Sequence, residues 1–374
     1  MYPVVIGHRG ASGYRPEHTR SAFELAFALG ADAVEPDLVA TRDGVLVIRH
    51  ENEISGTTDV ATREEFSARR TDKIVDGKAL TGWFTEDFTW EELATLRARE
   101  RLPTLRQSNT TFNDQHPILR LRDLFDLVDD TAEQTNRVLG IVAELKHTHY
   151  FAALGLPIAE LFAAEVTAAG WNTDRLTVES FEPSALDAVR ARGVRGKRIF
   201  LLEDRGAPAD RLAEYGAGAL TYAEHLTTNG LASLAAGRAG PRVTAGARVT
   251  AGPRVTGGAR SSMGSSTATS DTGRDGRGID GISVPKSLIL KLDDAGGVIG
   301  ASALVDDAHA AGLEIYCWTL RPENKFLAET FRSGTRKAHY GHWQGEFRLI
   351  LDSGIDGVFA DHPDLAVHVR DTMA

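Results

Sequence analysis

The chain of 374 residues contains one cysteine, Cys317, which excludes an internal disulfide and any cysteine-based zinc site. Long apolar stretches are also missing. No run reaches the roughly eighteen apolar residues that a helical membrane span needs, so no stable membrane insertion is expected. Basic charge is not in excess either: 42 Lys and Arg stand against 52 Asp and Glu, a formal net charge of −10. That balance argues against nucleic acid as a partner, because general binding depends on a basic surface that neutralises phosphates. An anionic small molecule must then be held by local groups. The first residues lead straight into an apolar run with no basic segment and apolar stretch ahead of it, so no secretory signal is read. A cytoplasmic location is expected, and secretion would need a leader removed beforehand.

What is present is concentrated in the first fifty residues. The run Val4, Val5, Ile6, Gly7 ends in His8-Arg9-Gly10, and a second run over 33–37 ends in Glu35-Pro36-Asp37. Between them lies Pro16-Glu17-His18-Thr19, and Thr41-Arg42-Asp43-Gly44 leads through Val45 to Ile48 into Arg49-His50-Glu51. Strand alternation puts Glu35 and Asp37 on one face. Only seven residues separate Asp37 from Val45, while a parallel crossover takes about a dozen or more. The run 45–50 therefore returns as a hairpin turning at 42–44, which carries His50 back beside Pro36 and Asp37. If these ends meet at one mouth, they supply a divalent metal site, an acid/base pair and a phosphate clamp.

Apolar periodicity places a helix at 21–29 and, after a long polar excursion over 51–117, another at 121–128. The excursion carries Trp83, Phe84, Phe88 and Trp90 and one helix at 89–99, and it hangs from the catalytic end as a lid or substrate-selecting wall. A strand at 139–145 ends in Glu144-Leu145-Lys146. Helices at 153–169 and 184–192 alternate with strands at 176–180 and 198–202, and helical segments at 209–215 and 227–236 follow. Residues 237–278 repeat themselves as Pro-Arg-Val-Thr-Ala-Gly, Ala-Arg-Val-Thr-Ala-Gly and Pro-Arg-Val-Thr-Gly-Gly, and this Gly/Arg/Ser/Thr-rich stretch is expected to be disordered. It falls between a helix and a strand, on the barrel face opposite the site. Strands at 279–284, 313–318 and 355–360, with helices at 301–311 and 344–352, complete the pattern. Eight parallel strands result, so the fold class expected is α/β, a TIM (β/α)8 barrel forming a single domain over 1–374.

The ordered set of motifs resembles the glycerophosphodiester phosphodiesterase family, whose pattern runs His-Arg-Gly, Pro-Glu-Asn-Thr, Glu-x-Asp, Thr-x-Asp-Gly and His-Asp. Two positions depart from it: His18 stands where Asn is usual and Glu51 where Asp is usual. The segment Gly82-Trp83-Phe84 through Asp87-Phe88-Thr89 to Leu96-Arg97 is similar to the insertion of the longer bacterial and plant members. Glu179-Ser180-Phe181 corresponds to a motif with Gln or Ser before Ser-Phe, where Glu179 either adds charge near the metal or faces outward. Trp318-Thr319 and Asp361-His362-Pro363 match the closing motifs.

The resemblance implies His8 and His50 as the acid/base pair, with Glu35, Asp37 and Glu144 as metal ligands. It implies Arg9 and Lys146 on the substrate phosphate and Trp318 against its glycerol or alcohol part. Three carboxylates at one mouth repel unless a cation lies between them, and all-oxygen ligands suit one divalent cation, Ca²⁺ or Mg²⁺. The expected reaction is hydrolysis of a glycerophosphodiester to sn-glycerol 3-phosphate and an alcohol. Two other readings compete: a phospholipase C/D-like barrel acting on lysophospholipids, and a non-catalytic barrel that binds phosphodiesters.

Overall fold

The computed structural model describes residues 2–237 and 278–373. The expected disorder of 237–278 falls almost wholly outside the described residues.

Strand β1 (Val4–His8) leads into helix α1 (Arg20–Ala28), whose N-cap Thr19 accepts a hydrogen bond from the Ala22 amide. The next stave is broken by Pro36 into β2 (Ala33–Glu35) and β3 (Asp37–Ala40). Proline has no amide hydrogen for the ladder, so β2 pairs with β1 while β3 turns to pair antiparallel with β4 (Leu46–Ile48). The hairpin read from chain length is therefore present, with Leu38 opposite Ile48.

The excursion 51–117 holds an unanticipated hairpin, β5 (Thr71–Val75) with β6 (Lys78–Gly82), and the short helix α2 (Trp90–Leu93). A helix was expected over 89–99. Its start is as read, with Thr89 and Glu92 forming a capping box, but after Leu93 the backbone leaves the helix. The Arg97 amide donates to Asp59 Oδ1 at 2.8 Å and the Ala98 amide to the His116 carbonyl at 2.8 Å. Bonds to partners remote in sequence replace the helical ladder there.

Helix α3 (Leu121–Thr135) is followed by β7 (Gly140–Leu145). The helix expected over 153–169 is two, α4 (Thr148–Ala153) and α5 (Ile158–Ala169), separated by Gly155 in the left-handed region and by Pro157. Then come β8 (Leu176–Ser180), α6 (Pro183–Ala191), β9 (Lys197–Leu201), α7 (Ala209–Tyr215), α8 (Tyr222–His225) and α9 (Thr228–Ala235). After residue 278, β10 (Gly281–Pro285) is followed by α10 (Lys286–Ile289) and a second unanticipated hairpin, β11 (Leu290–Leu292) with β12 (Val298–Ala301). Helix α11 (Leu304–Ala310) is shorter than the 301–311 expected because Ala301 belongs to β12. Strand β13 (Glu314–Leu320), α12 (Trp343–Leu351), β14 (Gly357–Ala360) and α13 (Pro363–Asp371), the last not foreseen, end the chain.

The barrel is closed. Around it run β1, the broken β2/β3 stave, β7, β8, β9, β10, β13 and β14, all parallel, with β14 returning to β1. Most of the core lies between this barrel and its helices. A second, smaller cluster of Ile6, Ala33, Val142, Ile199, Tyr316 and Phe359 packs by itself, and the strand period of two explains what it does. Residues two positions further along five of these strands are His8, Glu35, Glu144, Trp318 and Asp361. An apolar plug thus fills the barrel, and the polar layer directly above it is the mouth.

Candidate active site

His8 ends β1 opposite Glu35. Its Nδ1 lies 2.6 Å from Asp361 Oδ1, just beyond β14. His50, returned by the hairpin, has Nδ1 at 2.5 Å from Glu51 Oε1. A carboxylate only accepts, so in both imidazoles Nδ1 carries the proton and Nε2 is left as the base. Burial, reinforced by the Arg9 charge, lowers His8 to about 4 and His50 to about 3, so both are neutral at pH 7.

Each of those carboxylates is held in turn. Arg101 donates to both oxygens of Glu51 and to both oxygens of Glu17. Arg106 and Arg321 both donate to Asp361 Oδ2 at 2.6 Å, and Arg106 also binds Glu323. Asp361 stays charged: although burial pushes its pKa up, Arg321, Arg106 and His8 hold it well below the usual range.

The acids gather beside these dyads. Asp37 at the start of β3 is in register with Glu144 of β7, and Glu144 with Glu179 of β8. Glu35, Glu144 and Glu179 each place an oxygen within 4.8 Å of the others, and a second group of the same tightness joins His18, Glu35 and Asp37. The expected triad of Glu35, Asp37 and Glu144 is thus brought to one place, but divided between two groups that share Glu35. Glu179, left between two readings by the sequence, faces inward.

Burial and neighbouring acids raise Glu35 and Glu179 well above the carboxylate range and Glu144 to about 8. Asp37 is the exception, because Lys146, His50, His18 and Arg9 outweigh its burial and hold it low. Such a donor set, all oxygen but for His18, with Glu179 Oε2 lacking any hydrogen-bond partner, fits a metal ion.

Arg9 and Lys146, expected on the phosphate, are both engaged by carboxylates. Lys146 Nζ lies 2.7 Å from Glu144 Oε1 and 3.5 Å from Asp37 Oδ1. Arg9, whose φ of 58° is in the left-handed region, turns its amide onto Glu35 Oε2 at 2.7 Å while its guanidinium reaches Glu17 and Asp37. His18, also at positive φ and wholly buried, sets Nε2 at 3.1 Å from Asp37 Oδ2. Trp318 is half-buried against Phe181, and its Nε1 has no partner.

Sequence reasoning missed Arg101, Arg106 and Arg321. No spacing signals them, since their partners lie up to 255 positions away. It also missed Arg49, whose buried guanidinium has no hydrogen bond and meets its countercharge Glu17 only at 3.7 Å.

Known proteins resemble this chain over most of its length. Residues 8–250 and 267–365 match the model of the glycerophosphoryl diester phosphodiesterase family. A glycerophosphodiester phosphodiesterase of Arabidopsis thaliana is 27% identical over 361 residues, covering 96% of this chain and 83% of its own. One of Haemophilus influenzae is 28% identical over 197 residues, 50% of this chain and 52% of its own. Among solved structures, an Oleispira antarctica phosphodiesterase in complex with the product sn-glycerol-3-phosphate superposes with a TM-score of 0.56 at 18% identity, covering 99% of this chain and 97% of that one, which speaks for the fold. With the family model spanning most of its length, this chain belongs to the glycerophosphoryl diester phosphodiesterase family.

Proposed function

We propose that the chain hydrolyses glycerophosphodiesters to sn-glycerol 3-phosphate and an alcohol, with His8 and His50 exchanging the protons. The observation that carries this reading is the pair of dyads. Two imidazoles at one mouth each have Nδ1 fixed on a carboxylate, so each keeps Nε2 for the reaction. One takes the proton of an oxygen nucleophile, water or the glycerol 2-hydroxyl, and the other protonates the leaving alkoxide.

Arg9 and Lys146 are among the charges that depress His50, and Arg9 also depresses His8. A bound phosphodiester offsets them with its own negative charge, which raises both imidazoles toward neutrality where they can also donate. The same two cations balance the charge that builds on phosphorus. Trp318, with its free Nε1 and its flank on Phe181, packs on the alcohol side. Glu35, Asp37 and Glu144 would hold one divalent cation, Ca²⁺ or Mg²⁺, whose chemistry is to polarise the phosphoryl oxygens and lower the pKa of the nucleophile.

The test is hydrolysis of glycerophosphocholine in EDTA and after Ca²⁺ or Mg²⁺ is restored. Activity should vanish on chelation and return with the ion; activity that survives chelation refutes the metal. A second reading, action on lysophospholipids, draws on Ile74 of β5, Leu292 of β11 and Ile299 of β12, large apolar side chains left exposed on the two hairpins. Faster turnover of a lysophospholipid than of glycerophosphocholine would favour it.

A further inference from the structure

Four buried carboxylates meet at the mouth, and three of them have partners within the protein. Asp37 faces Arg9, His18 and Lys146. Glu144 takes Lys146, and Glu35 takes the Arg9 amide. Glu179 is different. It is 2% exposed and makes no ion pair among the described residues, its Oε2, like both Asp37 oxygens, has no hydrogen-bond partner, and yet it stands in register with Glu144 with an oxygen within 4.8 Å of both Glu144 and Glu35.

Burying an unpaired carboxylate is costly unless something compensates it. Among the described residues Arg9, His18 and Lys146 reach Asp37 and Lys146 reaches Glu144, while no cationic side chain pairs with Glu179.

Resting on the metal-dependent reading above, we propose that Glu179 is itself a ligand of the cation, a fourth carboxylate in the cage. An additional oxygen donor enlarges the coordination shell. Ca²⁺, which takes six to eight oxygens in flexible geometry, gains more from it than Mg²⁺, which demands a tight octahedron and keeps its waters.

The experiment titrates CaCl₂ and MgCl₂ into the full chain by calorimetry, for wild type, Glu179→Gln, Glu179→Asp and Glu144→Gln, and records Tm with and without Ca²⁺. The Glu179→Gln chain should bind Ca²⁺ about tenfold or more weakly, with a smaller loss for Mg²⁺, and Glu179→Asp should lie between. Without metal, Glu179→Gln should melt above wild type, because a buried acid crowded against Glu144 and Glu35 is gone, and Ca²⁺ should raise its Tm less. A residue that merely filled space would not give that inversion. Wild-type Ca²⁺ affinity in Glu179→Gln, together with a lowered metal-free Tm, overturns the inference while leaving the metal site intact, provided Glu144→Gln weakens binding. If wild type binds neither ion, the metal reading and this inference fall together.

Discussion

Arg101 clasps Glu51 through two hydrogen bonds, Nη1 to Oε1 at 2.9 Å and Nη2 to Oε2 at 2.6 Å, while the same carboxylate holds His50. Arg106, five residues on, does the equivalent for His8 through Asp361. Both arginines come from the excursion after the hairpin, so that segment holds the carboxylates behind both imidazoles.

Replacing Arg101 by Met frees Glu51 to rotate, and His50 loses its fixed tautomer with it. We expect kcat for glycerophosphocholine to fall about 10- to 100-fold, the usual loss when a supporting partner is removed, with KM changed less. Steady-state kinetics separates the two. An equal change in KM alone would mean that Arg101 contacts substrate instead.

Arg106 is a stability matter as much as a positional one. It is buried between Glu323 and Asp361, both 2% exposed in their side chains. Arg106→Met strands those charges, and breaking a buried pair in this way costs about 3–5 kcal/mol. Urea unfolding should show that loss, and Asp361, left with Arg321 alone, should give a lower kcat as well.

His8→Ala and His50→Ala should each lower kcat by ~10²- to 10⁴-fold, the range of a positioned acid or base. His50 is half-buried and its side chain bonds only Glu51 among the described residues, so its removal should leave Tm nearly unchanged. Full activity in His50→Ala would remove His50 from the acid/base pair.

Gly13 offers a test through packing. A Cβ there would sit 2.2 Å from the His362 ring, and the Gly13 amide donates to the Asp361 carbonyl at 2.7 Å. Gly13→Ala should push His362 off Tyr340 Oη, which it meets at 2.9 Å, and displace Asp361 with it. Lower Tm and lower kcat are expected together, measured by calorimetry and turnover.

Acid sensitivity follows from His225, buried edge-on against Phe200 with its pKa lowered to about 4, chiefly by that burial. In the unfolded chain it titrates near 6.5. Below pH 6.5 the unfolded state binds the extra proton first, so stability present above that pH drains away as pH falls toward 4, by about 2–3 kcal/mol in all. His225→Phe should flatten the stability profile between pH 6.5 and 4 in urea titrations.

The barrel was legible because its strands are short apolar runs with chemistry at their ends, and because a seven-residue link cannot cross a sheet in parallel. His8, Arg9, Glu35, Asp37, His50, Glu144, Lys146 and Trp318 all reach the mouth, since each ends or adjoins a barrel strand or the hairpin. The misreadings have local causes. Pro157 interrupts the apolar periodicity that joins 153–169, so α4 and α5 are separate, and the helix expected over 89–99 ends before the point where Asp59 captures the Arg97 amide. Polar hairpins such as Thr71–Val75 with Lys78–Gly82 carry little apolar alternation to announce them. The arginine supports of the two dyads were invisible for another reason: ion pairs spanning 40, 50 and 255 residues leave no mark on sequence spacing.

Gly237 and Gly278 come together at the end of α9, where the Gly278 amide donates to the Ala235 carbonyl at 2.8 Å and a Cβ on Gly278 would lie 2.5 Å from the Gly237 nitrogen. The polypeptide re-enters the barrel at the spot it left. A gene encoding Gly237 fused to Gly278 through a short turn would therefore need no stave to shift, and a foreign domain could be grafted at the same seam without pulling on the dyads.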